Sequence, residues 1–495
     1  MPTRGSKDPN GRALRGRRAH TTFALLTDPA RQIWNSFNNR ANAGGADAPE
    51  AAVNGCLYDR FKSLYTKTAT KPSLVIVPAR FKSGTLYSQI PSSNADFTVT
   101  RPLNTATRFD SSALIQTGIT SGIPRLDYYT SGGVTGCPAL LVEPAATNLA
   151  PNANLMNILD TPTVSGGVTF TTGSTDFLAP DGTSASINKY VGGAASGTTQ
   201  ASRYSTTAIT ATASGIHTFS IFVKRGATNP LDFCAITPIS FTGISPSPGR
   251  SFFNLASGTA ITSGARIENY GNGWYRLISQ PLTLAVGDLI GGMSFELAST
   301  SGSVSFATSG ALNLTAYTWG AQFEAGSIAT SYIPTTTGTG SRSADVVSVS
   351  GAVSGSIGQT EGVLYIECES NNGEDDVFFI NRSVSNGIAL YKNANNAYLG
   401  RIHHSSATIT FQSGNNVSGM VKIAIAYKSG DSTMYLNGSR VGTLNTNAIT
   451  FSAALNSLGV NKDPFFFGAK PSRIRAVALY NTRLTDAELA FITQP

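Results

Sequence analysis

Charge is what this sequence has least of: Asp, Glu, Lys and Arg make up 13% of its 495 residues, against roughly 25% in an average soluble chain. Gly, Ser, Thr and Ala stand in their place, which suits short strands and tight turns better than helices. No run of about 18 apolar residues occurs, which excludes a membrane-spanning helix. The apolar stretch 23–26 is too short for a signal-peptide core, so the usual export route is not expected. Cys56, Cys137, Cys234 and Cys368 lie far apart with no histidine nearby. That spacing argues against a zinc site and against a disulfide framework, and all four are expected as small buried side chains. No phosphate loop, Ser-His-Asp order or Cys-His pair stands out.

What charge there is gathers at one end. The formal net charge is +8, and residues 1–20 hold Arg4, Lys7, Arg12, Arg15, Arg17 and Arg18 against Asp8 alone. Such an arm is either a solvated tail or an anchor on an acidic particle surface or packaged nucleic acid. No Phe, Tyr or Trp precedes Phe23, which argues against base stacking, so direct nucleic-acid binding is not expected.

The length predicts about three domains. After the arm, Asp28-Pro29 reads as an N-cap and first helical residue, with Ile33, Trp34 and Phe37 on one stripe before Gly44-Gly45. Val53, Leu57, Phe61, Leu64 and Tyr65 repeat the spacing over 49–65. These apolar faces need a surface, whether sister chains, a capsid or portal, or the next strand. From Leu74 the pattern turns to strands. Phe219, Ile221 and Val223 alternate with Thr218, Ser220 and Lys224, and Trp319, Ala321 and Phe323 with Gly320, Gln322 and Glu324. Val421, Ile423, Ile425 and Tyr427 alternate with Lys422, Ala424, Ala426 and Lys428, followed by an Asn437-Gly438 hairpin turn. Thr485 to Glu488 has capping-box spacing for a short closing helix. The expected fold is mainly β: basic arm 1–20, helical anchor 21–72, β connector 73–149, sandwich 150–335, linker 336–357 and a second sandwich 358–495.

The run from Trp319 to Thr335, WGAQFEAGSIATSYIPT, followed by Arg342-Ser-Ala-Asp-Val346, resembles a segment that recurs in bacteriophage virion proteins. Phe81 to Arg101, Gly122 to Tyr128 and Cys137 to Leu149 resemble the connector ahead of the sandwich in the same proteins. The chain is thus similar to a tailed-phage head or tail fibre or spike. The resemblance implies a carbohydrate-binding-module-like sandwich, a C-terminal laminin-G or concanavalin-like jelly roll, and a homo-oligomer, a trimer, on the virion surface. It also implies other virion proteins (capsid, portal or tail) and host surface polysaccharide as partners. Two departures bear on metal. Gly419-Met-Val421 replaces a Trp-His-His motif, and Arg473-Ile474 replaces an acidic pair, so no calcium site, no metal and no cofactor is expected.

Chemistry is sparse. Glu361, Glu367, Glu369, Glu374, Asp375 and Asp376 are the carboxylates from which a glycan hydrolase would need a facing pair. Glu367 and Glu369 share a strand face and so do not flank a bond, and no enzyme activity is expected. Tyr391, Tyr398, Arg401 and His403 are candidate glycan contacts bordering a polar groove; the competing reading is that they only decorate a sheet. Trp274 and Tyr275 follow a Gly-Asn-Gly turn and are expected in a core rather than on a sugar. A polysaccharide depolymerase and a decoration or collar protein without glycan binding remain as alternatives.

Overall fold

A computed structural model describes residues 28–47, 54–90, 95–130, 133–150, 163–165, 168–184, 186–193, 201–204, 209–211, 213–242, 249–305, 313–336, 338–350, 353–370, 375–381, 386–405, 407–460 and 472–495. The basic arm, Glu374 and the side chains of Asp375 and Asp376 lie outside the described residues. The fold is mainly antiparallel β, with an N-terminal pair of helices.

Two large sheets face each other in the C-terminal sandwich. One has eight strands in the order Ser439–Asn445, Ser432–Leu436, Val421–Lys428, Glu361–Ser370, Ser472–Tyr480, Gly133–Val142, Arg125–Thr130, with Leu74–Ile76 also on Ser472–Tyr480. The other has nine, from Phe81–Lys82, Thr85–Leu86 and Phe97–Thr100 through Val346–Ser350 and Ser457–Val460 to Asp375–Ile380, Asn386–Lys392, Tyr398–His404 and Ala407–Gln412. Val421, Ile423 and Ile425 fill the core between them with Leu364, Ile366, Ile388 and Leu390, as their alternation predicts. Asn437 and Gly438 both take positive φ, at 48° and 84°, the backbone that a two-residue hairpin turn requires.

The division into connector and linker is corrected here. Strands from 74–142 complete both sheets of this sandwich, and Val346–Ser350, inside the expected linker, pairs with Phe97–Thr100 on one side and Ser457–Val460 on the other. Period-two alternation marks a strand but carries no information on a partner hundreds of residues away. The middle sandwich therefore enters the chain between two halves of the outer one. Its two seven-stranded sheets enclose Phe219, Ile221, Val223, Phe295, Ala321 and Phe323.

Trp319 departs from its expected face. The strands Gly215–Arg225 and Thr315–Ala325 slip register between Ser220 and Phe222, and Gly320 sits at φ 62°. This bulge turns Trp319 to the outer face with Phe222 and Tyr332, while Ala321 and Phe323 stay inside.

Three helices cover the outer face of the eight-stranded sheet: α1 (Pro29–Ala43), α2 (Asn54–Thr66) and α3 (Asp486–Thr493). Asp28 caps α1 by accepting from the Ala30 amide at 3.0 Å, and Thr485 with Glu488 forms the capping box of α3. Trp34, Phe37, Leu57 and Phe61 pack on a surface that includes Tyr365, Ala424, Ala426, Ala478 and Tyr480. The helices' apolar faces are thus buried within the chain, so sister helices are not needed to cover them. The cysteine expectation is also corrected: Cys56 on α2 and Cys137 in Gly133–Val142 form a disulfide across 81 residues, while Cys234 and Cys368 are free and buried. Helix docking on the sheet brings together two thiols that sequence spacing keeps apart.

Candidate functional site

Residues from 101, 125, 143–148, 331 and 342–345 meet in one buried place between the sandwiches. Arg125 donates to Glu143 at 2.7 Å and also to Asp345; Arg101 donates to Asp345 at 2.8 Å, and Arg342 lies 3.0 Å from Glu143. All five side chains are at most 3% exposed. Ser331 donates from its amide and its hydroxyl to Glu143, at 2.8 and 2.6 Å. Asn148 donates to the Ala321 and Ile333 carbonyls and accepts from the Phe323 amide at 3.0 Å. Burial alone would lower the pKa of Arg125 and raise that of Glu143. The facing charges, with the Ser331 hydrogen bonds on Glu143, outweigh it, so Arg125 is held above and Glu143 well below its ordinary value.

This junction is a joint and holds no ligand-sized space. The cavity beside it, between Asp127, Glu143, Arg276 and Arg473, measures about 20 Å³, room for about one water. A buried ion network adds little net stability over apolar packing. It does demand one geometry, because removing one member strands its partners' charges. These residues therefore fix how two sandwiches meet.

The sequence candidates lie elsewhere, near the Ala407–Gln412 edge of the nine-stranded sheet. Tyr391 pairs with Leu399, Arg401 with Ala389 and Thr410, and His403 with Gly387 and Thr408. That register puts Tyr391, Arg401 and His403 on the outer face. The Arg401 guanidinium lies 4.5 Å from the centre of the Tyr391 ring. Tyr391 itself is 2% exposed, so it serves as a platform beneath Arg401. Among the described residues Arg401 has no hydrogen-bond acceptor and no ion-pair partner, and its Nε is buried unsatisfied. His403 Nδ1 is 3.1 Å from Thr408 Oγ1. Thr408, Thr410 and Gln412 are exposed on the adjoining strand and extend the polar row; their alternation with Ile409 and Phe411 was the signal that could have found them.

Tyr398 does not join this face. It is 1% exposed in the core between the sheets, with Lys392 Nζ 5.2 Å above its ring. His404, next to His403, likewise turns inward and is buried.

The described carboxylates considered for hydrolysis, Glu361, Glu367 and Glu369, each lie beside a basic side chain. Glu367 lies 3.8 Å from Arg60 and 3.6 Å from Arg475, under α2, and Glu361 accepts from Lys428 at 3.2 Å. Glu369 is buried near Arg473. Trp274 is 3% exposed and donates from Nε1 to the Leu178 carbonyl at 3.1 Å, while Tyr275 packs partly buried against the middle core. Among the described residues no group of three or more His, Cys, Asp or Glu stands where it could hold a metal ion.

No protein-family description matches the chain, and no curated protein matches it. Among solved structures it is similar to the Ruminococcus gnavus IT-sialidase CBM40 bound to alpha2,3 sialyllactose, at 14% identity and TM-score 0.24, over 28% of this chain and 84% of that one. The leech intramolecular trans-sialidase gives 16% identity and TM-score 0.24, over 28% of this chain and 23% of that one. The Trypanosoma rangeli sialidase gives 11% identity and TM-score 0.25, over 30% of this chain and 25% of that one. At these values no residue correspondence is drawn.

Proposed function

We propose that the chain is a non-catalytic, glycan-binding structural protein of a tailed-phage virion, a head or tail fibre or spike, and that its outer nine-stranded face takes an acidic surface polysaccharide. The observation that carries the glycan reading is Arg401: a guanidinium stacked on a buried tyrosine, with free donors and no carboxylate partner among the described residues. Such a group pairs with a sugar carboxylate through two parallel hydrogen bonds, and the row of His403, Thr408, Thr410 and Gln412 offers contacts to neighbouring hydroxyls. Attachment to a particle is supported by the resemblance of the junction motifs to virion proteins. Self-assembly on a virion would let weak single contacts act together.

The test is titration calorimetry with uronate-bearing oligosaccharides from a host capsule. Arg401→Ala is expected to weaken binding at least about tenfold, roughly 1.4 kcal/mol, and Tyr391→Ala less, through loss of the platform. Binding unchanged in both variants would remove the proposed face. Oligosaccharide released during the incubation would favour the depolymerase, and absence of the protein from purified virions would end the attachment reading.

A further inference from the structure

The middle sandwich carries a second opening, on the outer face of the sheet built on Phe233–Thr242 and Leu289–Ala298. An open pocket of about 400 Å³ is lined by Arg250, Phe252, Gly302, Ser303, Val304 and Ser305, within the range of about 300–1,000 Å³ usual for small-molecule sites. Arg250 donates from Nε to Glu296, a carboxylate that is only 2% exposed and that accepts from Ser294 Oγ at 3.1 Å on its other oxygen. Both oxygens of Glu296 are therefore engaged. The two terminal nitrogens of Arg250 have no partner among the described residues, and the side chain is 40% exposed.

The rest of the wall is built rather than loose. Ser299 donates to the Ser303 carbonyl at 3.2 Å and the Ser305 carbonyl at 2.6 Å, and the Ser305 amide donates to Ser303 Oγ at 3.1 Å, which pins the 299–305 loop. The Phe252 ring is partly exposed beside it. Thr237 pairs with Ser294 on the same sheet, and its hydroxyl is buried with no hydrogen-bond partner.

Charge decides the ligand class. Among the described residues Arg401 has no counter-ion, whereas the charge of Arg250 is balanced by its ion pair with the buried Glu296. A balanced pocket exerts no net pull on an anion, yet its free N–H groups still want acceptors. We infer that the pocket binds a neutral hexose, whose hydroxyl oxygens accept from Arg250 and whose apolar ring face lies on Phe252. The protein then carries two glycan sites of different charge preference on two sandwiches. The inference stands without the Arg401 reading.

The test uses the full chain, with maltose, lactose and cellobiose as neutral probes followed by saturation-transfer NMR and titration calorimetry. At least one is expected to bind, with Arg250→Ala and Ser303→Trp each weakening it at least about tenfold, and with raising NaCl to about 0.5 M changing the affinity less than about twofold, since no net ion pair forms. Arg401→Ala should leave this binding unchanged. Ser303→Trp fills the mouth from a loop and leaves the Arg250–Glu296 pair intact, so it decides the matter if Arg250→Ala fails to fold. Failure of all three sugars to bind, binding that survives Ser303→Trp, or strong loss of affinity with salt would overturn the inference.

Discussion

The two outer faces of the C-terminal sandwich are made from the same strand pattern and end differently. On the eight-stranded side Ala424, Ala426, Ala476 and Ala478 share a face with Tyr365 and Tyr480, low enough for α1, α2 and α3 to settle on them. On the nine-stranded side Arg401, His403, Thr408 and Thr410 project from the edge, and Arg401 has no acceptor among the described residues. The middle sandwich repeats the contrast. One outer face is sealed by Phe109, Ile115, Tyr129 and Tyr332 against Phe222 and Trp319, while the other holds the Arg250 pocket. A covered face is one whose apolar side chains are buried by other parts of the chain; an open face retains a donor for something outside it.

The strongest way to break this comparison is at the sealed junction. Arg125→Ala leaves Glu143 and Asp345 without their shared partner and is expected to cost about 3–5 kcal/mol, read from the midpoint of chemical unfolding. Arg401→Ala on the open face should stay within about 0.5 kcal/mol of the parent protein. Equal losses in the two variants would show that the faces do not differ in the way described.

Next is the disulfide that holds α2 to its sheet. Cys56→Ser is expected to lower stability by about 2–4 kcal/mol, and addition of a reductant should produce the same shift in the parent protein but none in the variant. Glycan binding at the Arg401 face should be unaffected, because the helices lie on the opposite side of the sandwich.

The smallest effect is the sharpest probe of the junction's charge. Glu143 is held below its ordinary value, so its contribution is complete above the unfolded carboxylate range and is lost as pH falls through the depressed folded value. Below about pH 4.3 the parent protein should therefore lose up to about 1.4 kcal/mol per pH unit more than Glu143→Gln, in unfolding curves taken down to about pH 3. Parallel curves for the two proteins would mean that Glu143 is not charged in the folded state.

Much of the local structure was legible. Asp28-Pro29, Thr485 with Glu488, and Asn437-Gly438 are short-range signals whose chemistry is complete within a few residues, and each forms the cap or turn it implies. The alternation at 421–428 identified the core side. Trp319 was misplaced because Gly320 breaks the period with a bulge, a backbone choice that a count of alternating residues does not register. At the candidate face the sequence named Tyr391, Tyr398, Arg401 and His403 together, and the register puts Tyr391, Arg401 and His403 on one side. Tyr398 was not separated from them, because its side follows from a register with Asn386–Lys392 that the sequence does not state.

By itself the sequence determined a mainly β chain with its caps and turns, since these depend on residues within one turn or one strand. Only the tertiary structure decided that 74–142 complete the C-terminal sandwich, that Cys56 meets Cys137, and that Arg101, Arg125, Glu143, Arg342 and Asp345 share one buried network. The reason is physical: strand pairing, thiol pairing and ion pairing act across space, and their partners here lie tens to hundreds of positions apart along the chain.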